Sequence, residues 1–412
     1  MKPIRFTERI FGKKTNIFEV ISVSHKFVKL FGYLCFSFRN EWPNTRVTFT
    51  LLDVVMFAAN LSLNAFLLYD TILFDDTDTG SVIFTFGIRF ILVSLIVIGV
   101  ISSLLNVLFS GKIFQLFKCF REFDTQIVTV GGRINHQKHF MLLNGLAIVV
   151  PNLIFLFLLS DVITGDMSIY KVLSLLAPVM SFVVTKGILI FLLSSLRMRF
   201  EVLNKCFRDN FCTSDAPVKM VKSLDDKEKS NPSLLVTKFA TLHDYMSDAS
   251  ELTSLCYAFQ AMIFTGLCFV YNVFIIFSIF RVWMYYSDHF LGLVIGQAHW
   301  AFITSGFAIG EIYVAHNVTK LGKYTAILAH KAINLSTDAS SIDKLKQMAN
   351  QINHRPPVIT CGLFFFDWTL FYSLCGASTT YLVILIQFDS SMVTDGPNST
   401  MSTLTPLTPY AI

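Results

Sequence analysis

The chain has 412 residues, of which 53% are hydrophobic, 15% are charged and 42 are phenylalanine. This composition is too apolar for an ordinary soluble globular protein and predicts a polytopic membrane protein. The formal net charge of +5 could fit an anionic partner such as nucleic acid. Because the basic residues are spread over connections between apolar spans, membrane topology explains them better, and we expect no nucleic-acid partner.

Residues 1–46 contain nine Lys or Arg and form a predicted cytoplasmic N-terminal segment. Within it, Phe27 to Phe38 is short and amphipathic, which is typical of a helix lying at the cytoplasmic face of the membrane. Seven apolar stretches follow, each long enough to cross a bilayer as a helix. They are Val47 to Tyr69, Ser81 to Ser110, Phe140 to Ser160, Val172 to Leu196, Leu252 to Phe280, Phe290 to Gly310 and Val358 to Phe388. The predicted fold class is therefore an all-α polytopic membrane protein with seven transmembrane helices.

The basic residues predict the orientation of these helices. The N-terminal segment and the connections 111–139, 197–251 and 311–357 hold 29 of the 33 Lys and Arg, all on one side of the seven spans. An excess of positive charge marks the cytoplasmic side. We therefore expect a cytoplasmic N-terminus, a transmembrane domain over 47–388 and an extracellular C-terminal tail over 389–412.

The predicted outer side contains few basic residues and one glycosylation sequon. Its connections and the tail hold only two basic residues, Lys171 and Arg281. The tail contains the sequon Asn398-Ser399-Thr400, so Asn398 is a candidate for glycosylation. A G-protein-coupled receptor would have the opposite orientation, and we expect no G-protein partner.

Motifs for catalysis and metal binding are missing from the sequence. It has no GxGxxG, P-loop, HExxH or Cys-x-x-Cys motif and no cysteine pair in the predicted outer connections. His136 and His139 lie three residues apart in a basic connection without an acidic third ligand, which argues against a zinc site. We expect no enzymatic activity, no cofactor and no metal.

Ionisable residues inside predicted spans are candidates for function because they are costly there. Arg89 lies in the outer third of the second span, where Phe84, Phe86 and Phe90 could join it around a polar organic ligand. Alternatively, Arg89 extends to the outer headgroups. Lys186, past the middle of the fourth span, is expected to reach a backbone carbonyl, an acidic partner or the inner interface.

Two carboxylates have expected structural roles. Asp53 lies near the inner boundary of the first span, where we expect a satisfied or interfacial carboxylate. Asp367 lies where the last span can break into two halves, and we expect it to cap a helix or contact another subunit. Helical spacing also continues beyond the fourth span to Phe211 and over Asn317 to Asn353, with a break around 336–341.

A second group of pocket candidates comes from the fifth and sixth spans. Tyr271, Asn272, Gln297 and Trp300 lie deeper than the outer interface in these spans. Aromatic faces with a few amide groups could bind sugars or alkaloid-like molecules. The residues do not choose between these ligand classes.

The last span has a face with an unusual pattern. Ala377, Tyr381, Ile384 and Phe388 recur at i, i+4, i+7 and i+11 and share one side of a helix, with Thr380 and Gln387 beside them. Around a symmetry axis, this stripe would form a hydrophobic constriction next to an amide, which suits a pore gated by dewetting. The residues alone fit an ordinary packed helix equally well.

The segment from Thr380 to Phe388, TYLVILIQF, resembles the Thr-Tyr, five hydrophobics, Gln-Phe signature of insect gustatory receptors. Gln351 to His354 and Cys361 to Phe364 are similar to the same family's C-terminal block. The resemblance implies tetramers in which each subunit donates its last helix to one pore, closed by Gln387 and Phe388. It further implies a ligand-gated, non-selective channel for monovalent and divalent cations in the plasma membrane of sensory neurons, surrounded by membrane lipids and opened by a small-molecule tastant.

The resemblance also bears on the ligand class. Sugar receptors of the family often place Glu directly after the Tyr of the signature, where this chain has Leu382. The filling Leu-Val-Ile-Leu-Ile is more similar to the bitter and fructose-type branches. We expect a bitter-class or other non-sugar organic ligand, with fructose as the nearest competitor.

Two alternatives stay open, and both concern assembly or mechanism. An obligate co-receptor subunit of a heterotetramer would have the same sequence features as a homotetrameric channel. A transporter would show internal repeats or broken helices in matching halves, and no such repeat is visible in the sequence.

Overall fold

The computed structural model of the protein describes residues 16–39, 46–73, 82–152, 154, 169–212, 232–285 and 290–394. These residues are almost entirely helical. The helices are α1 (Ile17–Leu30), α2 (Leu51–Leu73), α3 (Val82–Leu108), α4 (Ser110–Gln126), α5 (His136–Asn144), α6 (Ile169–Phe211), α7 (Pro232–Thr253), α8 (Phe259–Tyr285), α9 (Phe290–Leu335), α10 (Ala339–His354) and α11 (Trp368–Thr394).

Short elements complete the described part. Strand β1 (Ser37–Arg39) pairs antiparallel with β2 (Arg46–Thr48). A 3-10 turn, Ile127–Val130, follows α4. Two π-turns extend helices, Gly145–Val149 after α5 and Ser254–Ala258 between α7 and α8.

Five described helical regions are long and apolar enough to cross a membrane. They are Leu51–Leu73, Arg89–Leu108, Pro178–Phe211, Pro232–Arg281 and Trp368–Ser390. These regions correspond to the predicted first, second, fourth, fifth and last spans. The predicted sixth span begins α9, and the predicted third span is helical over 140–152 before it leaves the described residues.

Two helices extend well beyond their spans. α6 has 43 residues and α9 has 46, so they measure about 65 and 70 Å along their axes. The predicted helical continuation to Phe211 is confirmed, and so is the predicted break near residues 336–341, because α9 ends at Leu335 and α10 begins at Ala339. Most of the polar stretch that follows α6, from Cys212 to Pro232, lies outside the described residues.

The predicted interfacial helix over Phe27 to Phe38 is wrong. α1 ends at Leu30, and the chain turns through Gly32, whose φ of 73° is typical of the glycine that closes a helix. A Cβ at this glycine would lie 2.5 Å from Asn60 Cβ in α2. After the turn, Tyr33 and Phe36 are buried in the protein, so this segment belongs to the core.

The first span begins four residues later than predicted, because Val47 lies in β2 and α2 starts at Leu51. Thr50 and Asp53 form a capping box, in which the Thr50 N–H donates to Asp53 Oδ2 at 2.7 Å and the Asp53 N–H donates to Thr50 Oγ1 at 3.3 Å. Lys29 Nζ lies 2.5 Å from Asp53 Oδ1. The expected satisfied carboxylate at Asp53 is confirmed.

The predicted last span is wrong over its first ten residues, since α11 begins only at Trp368. Residues 358–367 instead form a small hairpin in which Thr360 bridges Phe365. Gly362, with φ 86°, makes the turn of this hairpin. Hydropathy alone cannot separate such an apolar hairpin from a helix, because both have apolar side chains.

The helices differ sharply in how deeply they are buried. Of the most apolar part of α6, 94% of residues are buried, whereas none is buried in the corresponding part of α11. The largest apolar cluster surrounds α6 with side chains from α1, α4, α5, α7, α9 and α10. α6 is therefore the central helix of the described bundle, and α11 lies at its periphery.

A buried ion pair joins three membrane helices. Lys186 Nζ of α6 donates to a carboxylate oxygen of Glu311 in α9 and to Thr265 Oγ1 of α8 at 2.9 Å, and the Ala261 carbonyl oxygen lies 3.3 Å away. Both charged side chains are only 1% exposed. The prediction that Lys186 would reach an acidic partner or a carbonyl is confirmed, and both are present.

Close by, the Ser102 hydroxyl of α3 donates to Gln260 Oε1 of α8 at 2.6 Å. It also lies 3.0 Å from Thr185 Oγ1 of α6. The buried hydroxyl of Ser102 is thus paired with groups of two neighbouring helices, which lowers the cost of a polar group in a low-dielectric interior.

A polar ladder connects α7 to α10. Lys344 Nζ donates to Thr237 Oγ1 at 3.1 Å, and Gln351 Nε2 donates to both Asp244 carboxylate oxygens at 2.7 and 2.8 Å. Arg355 then forms two 2.6 Å hydrogen bonds to the Glu251 carboxylate. Thr237, Asp244 and Glu251 are seven residues apart on α7 and share one face of that helix. This face contacts α10 along its length, up to the hairpin that precedes α11.

Buried His243 of α7 lies between α7, α6 and α9. One ring nitrogen is 3.3 Å from the Gly322 carbonyl oxygen and the other is 3.3 Å from the Ser247 hydroxyl. The ring also packs against Phe200 with centroids 5.6 Å apart. Burial lowers the pKa of His243 from 6.5 to about 4, so the site holds the neutral ring.

We predict that replacing Lys186 by Met lowers the stability of the purified protein by about 3–5 kcal/mol, because Glu311 would keep a buried charge without its partner. Lys186→Met/Glu311→Leu should recover a large part of the loss. Thermal unfolding in detergent measures the effect. The exposed pair Arg197–Glu201 is the control, where Arg197→Ala should change stability by less than about 1 kcal/mol. Equal losses at both pairs would contradict the prediction.

Acidification should destabilise the fold through His243. Its folded pKa of about 4 lies below the unfolded value of 6.5, so the unfolded chain binds more protons between these values. Stability should therefore fall as pH drops from 6.5 towards 4, by about 1.4 kcal/mol per pH unit for this histidine. Unfolding measured against pH should have a smaller slope in His243→Asn. An unchanged slope in His243→Asn would contradict this prediction.

Candidate pore helix and ligand pocket

α11 begins at Trp368 because Asp367 caps it. Asp367 Oδ1 accepts hydrogen bonds from the backbone N–H groups of Thr369 at 2.9 Å and Leu370 at 3.2 Å. This arrangement satisfies two of the four donors that a helix start leaves free. The expected capping role of Asp367 is confirmed, but the predicted break between two helical halves is wrong, because a hairpin precedes Asp367.

All five predicted pore residues are exposed in the single chain. The exposed fractions are 55% for Tyr381, 39% for Ile384 and 58% for Phe388, and Thr380 and Gln387 are also exposed. The Thr380 hydroxyl donates to the Gly376 carbonyl oxygen of its own helix at 3.2 Å. An apolar stripe beside polar groups is therefore available for another copy of the chain, for lipid or for a pore.

α11 packs against α8 and α9. The Tyr381 ring meets the edge of Phe269 on α8, with centroids 5.9 Å apart at 75°. Near the C-terminal end of α11, Arg281 Nε of α8 lies 3.1 Å from Asp389 Oδ2. The sequence did not single out Asp389, although Arg281 was one of only two basic residues in the predicted outer connections.

The pocket predicted around Arg89 is not enclosed in the structure. Phe86 is 68% exposed and Phe90 is 47% exposed, and their rings stack on each other along α3 with centroids 6.5 Å apart. Arg89 is half-buried. Phe86 and Phe90 thus lie on the exposed face of α3, away from the rest of the bundle. The Phe84 side chain is not among the described residues.

The second group of candidates is partly brought together. The Ser305 hydroxyl of α9 donates to Asn272 Oδ1 of α8 at 3.3 Å, which joins the two helices. Trp300 packs against an apolar cluster that includes Phe182, and Tyr271 is half-buried. Gln297 belongs to α9, but its side chain lies outside the described residues.

α3 and α8 touch through a glycine. A Cβ at buried Gly87 would lie 2.3 Å from the Phe274 ring, so the ring occupies the space that the missing side chain leaves. This contact brings the helix of Arg89 and Phe86 against the helix of Tyr271 and Asn272. The two groups of candidates therefore lie on adjacent helices.

A small cavity of about 40 Å³ lies elsewhere, between α1, α4, α5 and α6 on the predicted cytoplasmic side. Apolar side chains line most of it, including Phe117 and Phe191, with Ser24, His25 and Tyr257 as polar groups. Ligand pockets for organic molecules usually measure about 300–1,000 Å³. This cavity is too small for a tastant, and none of its lining residues was a predicted site residue.

A family model described as 7tm Chemosensory receptor matches residues 21–392 of the chain. The chain belongs to this family. Family membership confirms that the protein is a receptor and not an enzyme, and it confirms the predicted seven-helix membrane fold. The topological orientation of the termini stays a prediction.

Relatives in Drosophila melanogaster carry the names of gustatory receptors. Gustatory receptor 28a is 28% identical over 167 residues, which cover 38% of this chain and 36% of the relative. Gustatory receptor 28b is 23% identical over 320 residues, covering 68% of this chain and 66% of the relative. The gustatory receptor for bitter taste 66a is 31% identical over 87 residues, covering 21% and 16%. The resemblance to insect gustatory receptors is confirmed, while the branch stays a prediction.

A solved structure shares the fold. The insect olfactory receptor OR5 from Machilis hrabei superposes with a TM-score of 0.64 at 11% identity, covering 89% of this chain and 97% of that chain. The same receptor in complex with eugenol gives a TM-score of 0.53 at 12% identity. At these identities, the likeness shows the fold alone.

We predict that Gly87→Ala lowers the stability of the chemosensory receptor by about 1–3 kcal/mol, because the new methyl group overlaps the Phe274 ring. A smaller side chain in Gly87→Ala/Phe274→Leu should recover part of this loss. Thermal unfolding in detergent checks both changes. Gly266→Ala on α8 is the control, since nothing lies within 4 Å of its added Cβ. A loss at Gly266 as large as that at Gly87 would show that the overlap is not its cause.

Proposed function

We propose that the protein is a ligand-gated, weakly selective cation channel that detects a small organic tastant. One observation carries the proposal: α11 exposes the stripe of Tyr381, Ile384 and Phe388 beside the polar Thr380 and Gln387, and no residue in the most apolar part of this helix is buried. An exposed apolar helix next to the polar Gln387 fits a pore lined by several copies of the chain. A tetramer is the assembly that we propose, either homomeric or with related subunits.

The proposed gate is the ring of Phe388 side chains. Four phenyl groups around an axis would exclude water and so block ions. The Gln387 amide lies one position earlier on the helix and would supply oxygen and N–H groups to hydrated ions once the helices separate. A ligand opens such a gate only to the extent that it binds the open state better than the closed one.

The ligand site that we propose lies in the outer half, between α3, α8 and α9. Asn272, hydrogen-bonded to Ser305, provides an amide on α8, which also carries Tyr271; Trp300 lies on α9 and Arg89 on the adjacent α3. This mixture suits a flat organic molecule with a few polar groups. A bitter-class or other non-sugar ligand is our first choice and fructose the second, in agreement with Leu382 and with the name of the bitter-taste relative.

The topology belongs to the same proposal. Residues 1–46 and the connections 111–139, 197–251 and 311–357 would face the cytoplasm, and the tail 389–412 would be extracellular. Asn398, a candidate for glycosylation, lies in this tail outside the described residues. The receptor would act in the plasma membrane of sensory neurons, with mono- and divalent cations as permeant ions and without a G protein.

Phe388→Ala should produce a standing cation current in cells that express this chain alone. Losing the apolar ring should raise the current roughly tenfold above wild type, which corresponds to a shift of about 1.4 kcal/mol in the gating equilibrium. Whole-cell recording without ligand measures this current. Wild type should respond to one or more of a panel containing quinine, caffeine, denatonium, sucrose and fructose.

Val383→Ala is the matched control, since Val383 lies on another face of α11 and is similarly exposed at 48%. It should leave the standing current at the wild-type level. A Phe388→Ala protein that is detected at the cell surface but carries no standing current would contradict the proposed gate. If Phe388→Ala carries a standing current but the wild-type chain responds to no compound, the result would instead favour an obligate co-receptor subunit.

A further inference from the structure

The outer end of α11 contains one buried residue. Between Trp368 and Ser390, every side chain is exposed or half-buried except that of Asp389, which is 6% exposed. Its carboxylate lies 3.1 Å from Arg281 Nε of α8, and the Arg281 side chain is 18% exposed. The residue that follows the proposed gate is thus held against its own subunit by an ion pair.

Helical geometry separates Asp389 from the gate. Neighbouring residues on a helix point about 100° apart, since 3.6 residues make one turn. When Phe388 faces a central axis, Asp389 faces α8. The carboxylate is therefore turned away from the proposed ion path.

The Arg281 guanidinium also neutralises the negative charge of Asp389 in this buried position. Carboxylates in a ring at a pore mouth attract cations and favour divalent ions. A guanidinium in contact cancels most of this field, and a mostly buried pair is poorly screened by salt. Arg281 is one of only two basic residues in the predicted outer connections and tail, and it lies next to an acidic residue of α11.

We propose that Arg281 determines the weak cation selectivity of the outer pore mouth by neutralising Asp389 and keeping it against α8. The inference rests on the proposed function, in which α11 lines the pore. Without Arg281, an unpaired carboxylate would remain buried at a large cost in free energy. Turning Asp389 towards water at the pore mouth removes that cost and places four negative charges near the permeating ions.

The experiment uses the standing current of Phe388→Ala, which needs no ligand. Reversal potentials in Ca²⁺ and Na⁺ solutions give the permeability ratio of the two ions. Adding Arg281→Gln should raise this ratio about twofold or more, because divalent ions respond most strongly to fixed negative charge. Asp389→Asn and the combination Arg281→Gln/Asp389→Asn should both keep the ratio of the Phe388→Ala parent, and Arg281→Lys should keep it as well.

The burial of position 389 is tested separately, without changing Arg281. In the Phe388→Ala background, a cysteine replaces either Asp389 or Gln387, and a charged methanethiosulfonate reagent is applied from outside. Asp389→Cys should react about tenfold more slowly than Gln387→Cys, as expected for a side chain turned into the subunit. The Phe388→Ala parent corrects for reaction at the native cysteines.

The outcomes separate the two proposals. An unchanged ratio in Arg281→Gln at normal surface level, or a ratio that falls in Asp389→Asn, would overturn the role of Arg281 while leaving the channel intact. Equal reaction rates at positions 387 and 389 would overturn it even if Arg281→Gln fails to reach the surface. Absence of any standing current in a surface-expressed Phe388→Ala parent would overturn the proposed gate, and the role of Arg281 with it.

Discussion

The fold depends on satisfying charge inside a bundle that offers little water. Lys186 and Glu311 are both almost fully buried, and Lys186 also has Thr265 and a backbone carbonyl oxygen as partners. Because the partners of Lys186 come from α8 and α9, the ammonium group fixes the relative depth of α6, α8 and α9. Apolar packing is tolerant of small sliding movements, whereas a buried charge has few acceptable positions. Many phenylalanine contacts can therefore surround the ion pair without allowing the helices several alternative positions relative to one another.

Around this fixed centre, the helices divide into two kinds. α6 is buried along its membrane part, and α9 contacts it over most of their shared length. α11 contacts the bundle on one side only and is joined to the preceding helix by a hairpin, not by a continuous helix. A peripheral helix on a short connection can move relative to the bundle at a low cost in buried area. That property is what a gate requires and what a central structural helix cannot offer.

The sequence predicted features that depend on local pattern. Span positions followed from runs of apolar residues, and the cap at Asp367 followed from one charge within such a run. Predictions failed where distant residues decide the structure, as at Gly32, whose turn is shaped by contact with Asn60. Glu311 was missed because its partner is 125 positions away. The exposure of Phe86 had the same cause, since periodicity shows which residues share a face but not which helix covers that face.

The π-turn Ser254–Ala258 separates two helices that follow different repeats. α7 contacts α10 through Thr237, Asp244 and Glu251, seven residues apart, whereas α8 packs among membrane helices. A π-turn contains one residue more than an α-turn, which rotates everything beyond it by about 100°. The turn therefore lets the chain before it and the chain after it present different faces to their neighbours. α7 keeps the seven-residue repeat that its contacts with α10 require, while α8 keeps the face that packs among the membrane helices.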